Sequence, residues 1–164
     1  MAFINPASGT ASQIVLKLDV GIAEGTLTLG ATPLTVPALQ DVTINAANDV
    51  FTWSQLDSTA KKQVATTSTN SISMNIVVDP TTFFGTTLAS VQSDTVAAQG
   101  ILGMSRNKTL VTFSLKMQES GSDKFIKGQG FVTGLAPTLS ADAPVWVSPI
   151  TITVTGEYTA SATE

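Results

Sequence analysis

Alternation of apolar and polar residues is the clearest pattern along the chain. Within 70–78, Ile72, Met74, Ile76 and Val78 fall on one side of an extended chain, and serine and asparagine fall on the other. A period of two is typical of a β-strand that buries one face. The pattern therefore predicts a strand here. The same reasoning predicts further strands over 13–22, 108–118, 124–133 and 145–154.

Shorter segments are read from local signals. The turn at 24–25 predicts that 26–29 pairs back on the first strand as a hairpin. Another short strand is predicted around Val42 and Ile44. Apolar or small residues recur at helical spacing in 87–98, with Thr87 able to cap its start and Gly100 able to end it. We therefore predict one helix over 87–98.

A long polar excursion occupies 46–69 and contains the scattered apolar residues Trp53, Leu56 and Val64. Leu56, Ala60 and Val64 would share one side of a short helix, but an extended excursion fits the segment equally well, and both alternatives stand. Connections of this length are uncommon in compact domains and are often functional. Because tryptophan is enriched in interfaces, Trp53 is a candidate inter-subunit contact.

The chemistry of the chain is sparse. It has no histidine and no cysteine, charged residues make up 12%, and serine plus threonine make up about a quarter of its 164 residues. A Ser-His-Asp triad, disulfides, and imidazole or thiolate metal ligands are therefore excluded. The acidic residues are scattered and do not have the spacing of a calcium loop. We predict that the protein is not an enzyme and uses no metal or cofactor.

The charge balance limits the partners. A net charge of −4 argues against binding nucleic acid through its phosphates and against docking on an anionic membrane. The N-terminus has no secretory signal pattern, and no apolar run approaches the roughly 18 residues that span a bilayer. We expect a protein that is made and kept, or assembled, inside a cell.

Three segments resemble the major tail proteins of tailed bacteriophages, which form the tail tube. They are 79–85 (DPTTFFG), 131–144 (FVTGLAPTLSADAP) and 147–158 (VSPITITVTGEY). In that family a penultimate strand, a Ser/Thr-rich loop and a final alternating strand that ends in glycine follow one another in this way. The resemblance covers the second half of the chain well and the first half loosely.

The resemblance implies a mainly β fold, with two packed antiparallel β-sheets in a sandwich or barrel-like arrangement and one short flanking α-helix. It implies one domain over 1–164, with an N-terminal arm at 1–12, the polar loop at 46–69 and a C-terminal arm at 157–164. Subunits of the family form rings, usually of six, which stack into a tube within the virion tail. Assembly would occur in the host cytoplasm.

The family also implies the partners. These are further copies of the same chain, other phage tail proteins, and double-stranded DNA that passes through the tube without sequence-specific binding. A neutral or acidic wall would let the phosphates slide. The residues predicted to contact other subunits are Trp53, Leu56, Val64, Phe3 and Ile4. The residues predicted to face the lumen, from the polar faces of strands, are Asp19, Lys17 and Lys116.

A monomeric β-sandwich binding module, such as a virion decoration or carbohydrate-binding domain, is the alternative. It would remain a monomer and carry a pocket lined with aromatic residues. Aromatic residues make up only 6% of the chain, which disfavours stacking on sugars.

Overall fold

The computed structural model describes residues 14–54, 60–87, 91–92, 95–119, 122–140 and 143–164. Strands dominate these residues, and two helices lie between Val77 and Leu110. The strands are β1 (Ile14–Val20), β2 (Leu34–Thr35), β3 (Leu39–Ser54), β4 (Lys61–Val77), β5 (Leu110–Glu119), β6 (Ser122–Leu135), β7 (Thr138–Ser140) and β8 (Ala143–Ser161). The helices are α1 (Pro80–Phe84) and α2 (Val96–Arg106).

All strand pairs are antiparallel, and the spatial order is β2-β1-β5-β6-β8-β4-β3, with β7 paired to β8. The predicted mainly β fold with a short helix is confirmed. The number of sheets differs from the prediction: two packed sheets were expected, and the described strands form a single eight-stranded sheet. The 19-residue β8 is the reason: it pairs with β6 along one edge and with β4 along the other.

Alternate residues of the strands bury one face of the sheet. Leu16 of β1, Phe113 of β5, Ile72 of β4 and Ile152 of β8 are each fully buried and belong to a single hydrophobic core. Val96, Ile101 and Met104 of α2 join the same core. The opposite face of the sheet carries the polar residues that alternate with the buried ones, and we call it the polar face.

The strongly alternating segments are all strands, as predicted, but the hairpin predicted at 26–29 is wrong. Residues 26–29 lie in the loop between β1 and β2, and β1 pairs instead with β5 and with Leu34–Thr35. The side chain of Gln129 explains the difference, since its amide nitrogen donates to the carbonyl oxygens of Ala23 (2.9 Å) and Thr26 (2.8 Å). These bonds hold the loop against β6.

The helix predicted over 87–98 is confirmed only at its end: 96–98 begin α2, which continues to Arg106, whereas 87, 91–92 and 95 are not helical. Thr87 ends a turn, and Thr95 is the N-cap of α2, with its hydroxyl oxygen accepting from the backbone N–H of Ala98. Gly100 does not end the helix but lies inside it, at a kink with φ 65°. A Cβ at Gly100 would stand 2.2 Å from the backbone nitrogen of Gly85, so the two glycines allow α1 and α2 to touch.

The three predicted extensions have different outcomes. The N-terminal arm at 1–12 lies outside the described residues. The predicted C-terminal arm at 157–164 is not separate from the sheet as far as Ser161, because β8 continues to that residue and pairs with β6. Within 46–69, the described residues follow the extended alternative rather than the helical one, and 55–59 lie outside the description.

Candidate functional site

The most unusual part of the molecule is a two-stranded ribbon, which we call the arm: residues 46–54 of β3 and 61–69 of β4. The pairing of β4 with β8 begins at Asn70, so none of the described strands pairs with the arm as a third strand. Every residue of the arm is exposed. A two-stranded ribbon in water is only marginally stable by itself, and a partner surface would stabilise it.

The register gives the two faces of the arm different chemistry. Phe51 lies directly opposite Val64, and Trp53 lies opposite Lys62, so these four side chains share one face. The rings of Phe51 and Trp53 stack with centroids 5.9 Å apart, and Phe51 remains 59% exposed. We call this the aromatic face of the arm.

The opposite face of the arm contains a smaller apolar group. It carries Thr52 opposite Gln63 and Val50 opposite Ala65. Both faces are open to solvent, but they carry different types of side chain. Only the aromatic face offers large rings to a partner.

Two polar side chains hold the base of the arm. The Tyr158 hydroxyl lies 2.7 Å from the carbonyl oxygen of Ser71 and 3.1 Å from that of Asn45, within donating distance of both strands. The amide of Asn70, which is buried, donates to the carbonyl oxygen of Gly156 at 2.9 Å. Burial raises the pKa of Tyr158.

An apolar pocket of about 450 Å³ lies at the other end of β4. Its lining comes from four separate segments of the chain. The residues of this apolar pocket are Val78, Pro80, Phe83, Phe84, Leu102, Pro137 and Trp146. Phe83 is buried, whereas Phe84 is 41% and Trp146 51% exposed. The pocket therefore presents two large apolar side chains to solvent.

Asp79 lies between two residues of the apolar pocket and caps α1. Its carboxylate accepts hydrogen bonds from the backbone N–H and the hydroxyl of Thr82, both at 2.9 Å. The backbone bond first, and the hydroxyl bond second, lower the pKa of Asp79 below its ordinary value. The edge of the pocket therefore carries a negative charge at neutral pH.

The polar face of the sheet is rich in hydroxyl groups over β6, β8 and β4. Thr133 and Thr153 lie 2.8 Å apart, and Ser73 and Thr151 lie 3.5 Å apart, in each case between hydroxyl oxygens. On the neighbouring β3, Asp41 accepts a hydrogen bond from the amide of Asn75 at 2.8 Å. This half of the face is consequently polar and nearly uncharged.

The residues predicted to face a lumen lie on the other half of the polar face, and each already has a partner. Lys17 forms an ion pair with Glu164 at 2.6 Å, and Lys116 forms one with Asp123 at 2.8 Å. Asp19 accepts from the backbone N–H groups of Val20 and Gly30. All three predicted residues are half-buried.

The structure brings together only some of the predicted inter-subunit residues. Trp53 and Val64 share the aromatic face of the arm, whereas Leu56, Phe3 and Ile4 lie outside the described residues. Phe51 was missed, although its two-residue spacing from Trp53 on an extended strand was a usable signal. The sequence gives no signal that Trp146 lines a pocket together with Phe84.

Other kinds of site have no support among the described residues. No group of three or more Asp and Glu that could hold a metal ion occurs there. In the same residues, no helix has both the length and the apolar character to cross a membrane.

Comparison with known proteins defines the class of fold. No protein-family model matches the chain, and no curated protein matches it either. Solved structures do match, and the fold is that of tail tube proteins.

Three of these structures show the extent of the likeness. A chain of the SPP1 tail tube is 10% identical, with a TM-score of 0.65, over 94% of this chain and 79% of its own length. A chain from the tail of an empty gene transfer agent particle, refined with C6 symmetry, is 12% identical, with a TM-score of 0.62 over 94% and 100%. A chain of the sheath–tube complex of the PVC extracellular contractile injection system is 12% identical, with a TM-score of 0.59 over 98% and 95%.

Proposed function

We propose that this protein is a structural subunit of a bacteriophage tail tube, which assembles with copies of itself into stacked rings. The observation that carries the proposal is the arm, a ribbon exposed on both faces with Phe51, Trp53 and Val64 on one of them. A contiguous apolar surface of this kind is typical of an interaction site. The likeness to tail tubes supports the same role.

The edges of the sheet support lateral association. β3 is an edge strand of 16 residues that contains neither lysine nor proline, the residues that commonly protect an edge from pairing. At the opposite edge, β2 covers β1 at only two residue pairs. We propose that these two edges of neighbouring subunits meet, because closure of a ring satisfies open edges. Six subunits per ring is the symmetry named for the gene transfer agent tail.

The hydroxyl-rich half of the polar face suits the wall of a conduit for double-stranded DNA. Thr133, Thr151, Thr153 and Ser73 provide polar groups without fixed positive charge. Such a wall neither binds phosphates tightly nor exposes apolar surface to them. Under this proposal Lys17, Asp19 and Lys116 contribute less to the wall than the hydroxyl groups, because they are already paired.

The remaining predicted roles belong to the same proposal. Trp53 and Val64 contact a neighbouring subunit, and Leu56, Phe3 and Ile4 are proposed to do so as well. Other tail proteins would bind the ends of the tube, and the location would be the virion tail after assembly in the host cytoplasm. No catalytic role is proposed.

Negative-stain electron microscopy and sedimentation velocity of the purified chain test the assembly. We expect rings or tubes and a species far larger than the 17.0 kDa monomer. A monomer at every concentration would contradict the proposal. That result would favour the alternative, a monomeric β-sandwich binding module of the virion decoration or carbohydrate-binding kind.

One observation favours that alternative: the apolar pocket contains Phe83, Phe84 and Trp146. However, every residue that lines the pocket is apolar. A sugar site needs polar groups that fix the orientation of the ligand. The pocket is therefore better suited to apolar side chains than to a carbohydrate.

The conduit has a separate test in assembled tubes. Thr151→Lys and Thr153→Lys place positive charge on the proposed wall, and Thr87→Lys places the same charge in the exposed turn after α1. We expect the first two variants to retain short DNA duplexes inside the tubes at low salt. Equal retention by the Thr87→Lys variant, or none by any variant, would show that this face does not line the bore.

A further inference from the structure

The aromatic face of the arm and the apolar pocket lie at opposite ends of one strand. Lys62, opposite Trp53, is at the beginning of β4, and Val78 follows its end. A strand of 17 residues spans about 50 Å at about 3.3 Å per residue. The arm therefore cannot fill the pocket of its own molecule, and only a second copy can bring the two surfaces together.

The two surfaces match in size and polarity. The arm offers the stacked rings of Phe51 and Trp53, with Val64 beside them. The pocket offers about 450 Å³ between Phe84, Leu102 and Trp146. Cavities of about 300–1,000 Å³ enclose drug-sized apolar groups, and a pair of stacked aromatic side chains is of that size.

The charges beside the two surfaces are also complementary. Lys62 lies on the aromatic face, next to Phe51 and opposite Trp53. Asp79 lies at the edge of the pocket, where the hydrogen bonds from Thr82 favour its ionised form. A lysine brought to this edge would meet an opposite charge, which helps to fix the orientation of the contact.

We propose that the arm of one subunit inserts Phe51 and Trp53 into the apolar pocket of a second subunit, with Lys62 directed towards Asp79. The contact joins two different surfaces, so each subunit has one arm to give and one pocket to fill. Contacts of this heterologous kind propagate into an open polymer when they do not close into a ring. The inference rests on the proposed tail-tube function and specifies which surfaces hold successive subunits together.

A double-mutant cycle on assembly tests the contact. Trp53→Ala and Trp146→Ala should each raise the critical concentration for polymerisation about tenfold or more, as expected for interface tryptophans. If the two residues touch, the critical concentration of the double variant should be little higher than that of the more impaired single variant. Ile22→Ala, which removes a 79% exposed apolar side chain elsewhere, should leave the critical concentration unchanged.

The outcomes separate this inference from the proposed function. In one outcome, tubes form while the effects of Trp53→Ala and Trp146→Ala multiply in the double variant, which would mean that the two substitutions act independently. That result would overturn the docking, whereas the tail-tube role would stand. Absence of any polymer from the wild-type chain would overturn both.

Cross-linking provides a second test, which is simple because the chain has no cysteine. Lys62→Cys with Pro137→Cys places thiols on the aromatic face and at the exposed edge of the pocket. A short bis-maleimide should convert this variant into a ladder of covalent oligomers. Gln63→Cys with Pro137→Cys places the first thiol on the opposite face of the arm and should give much less product. Equal ladders from the two variants, or none from either, would overturn the proposed orientation.

Discussion

The strands β3 and β4 behave differently in their two halves, although they form one continuous ladder. In the half next to β8, Ile72, Met74 and Ile76 are no more than 2% exposed, and Ser73 and Asn75 between them face the other way. In the arm, the same two strands keep their pairing, but no position is buried. Among the described residues, the pairing with β8 is lost beyond Asn70, and a register shift lies between Asn48 and Val50 of the arm.

This contrast separates the residues that specify the fold from those available for assembly. Alternation is strict where one face of the strand packs on the core, because each buried position contributes hydrophobic free energy. In the arm the core is absent, so Phe51, Trp53 and Val64 contribute little to the folding of a monomer. Their conspicuous exposure has a physical reason only if another surface covers them.

The largest difference between the halves should appear on removal of an apolar side chain. Ile72→Ala deletes a fully buried side chain in the half of β4 next to β8 and should lower the free energy of unfolding by about 3 kcal/mol, since it leaves a cavity. Urea denaturation of the monomer at low concentration measures the change. Val64→Ala in the arm is the matched control and should change stability by less than about 0.5 kcal/mol. Equal losses would show that the arm is part of the core.

A second prediction concerns the backbone of β6 and β8, the strands that support the buried half of β4. A Cβ at Gly130 would lie 2.2 Å from the carbonyl oxygen of Thr153, an approach between the backbones of β6 and β8. Gly130→Ala should lower stability by about 2–3 kcal/mol, because one of the two strands must shift. Gly134→Ala is the control in the same strand, where the nearest atoms are those of the Thr151 side chain at 3.3 Å. A comparable loss from both would disprove the close-approach explanation.

The same contrast explains which strands could be predicted from the sequence and which pairings could not. The strands over 70–78 and 108–118 were recognised because every second residue enters the core, a property that a short window displays. The partner of β1 was not predicted, because the loop at 23–26 is held by Gln129, which lies more than 100 residues away in the sequence. Local turn signals at 24–25 carry no information about that distant side chain.

The bounds of α2 and the pocket were not predicted for a related reason. The start of α2 is fixed by Thr95 as cap and by Gln99, which is fully buried and accepts a hydrogen bond from the Thr109 hydroxyl at 2.8 Å. Helical spacing over 87–98 does not reveal either contact. The pocket joins four separate segments, which no local pattern brings together. Trp53 could be singled out only because it lies in a segment without a core pattern.

The base of the arm should respond to loss of one hydroxyl group. Tyr158→Phe removes the hydrogen bond to the carbonyl oxygen of Ser71 and should lower stability by about 1 kcal/mol. Amide hydrogen exchange should accelerate in the arm but not in β5. Uniform acceleration in both would show that Tyr158 supports the whole sheet.

The pH dependence of Tyr158 has a definite sign. Because burial raises the pKa of Tyr158 in the folded protein, its contribution to stability is fully present below the ordinary value of 10.0. That contribution is lost as the pH rises through the raised pKa. The Tyr158→Phe variant should therefore lose less stability than the wild type between neutral and strongly alkaline pH. Parallel losses in the two proteins would contradict this assignment.

The smallest effect on folding is expected at the most conspicuous side chain. Trp53 is partly covered by its stacking on Phe51 at 5.9 Å, so Trp53→Ala should lower the stability of the monomer by no more than about 1 kcal/mol. The same substitution should strongly reduce assembly, because an interface tryptophan typically costs more than 2 kcal/mol when truncated. A thermal melt of the monomer and a pelleting assay on one sample compare the two effects. A large loss in the melt with a proportionate loss of pelleting would place Trp53 in the core of the fold, and the division between the two halves of β3 and β4 would no longer hold.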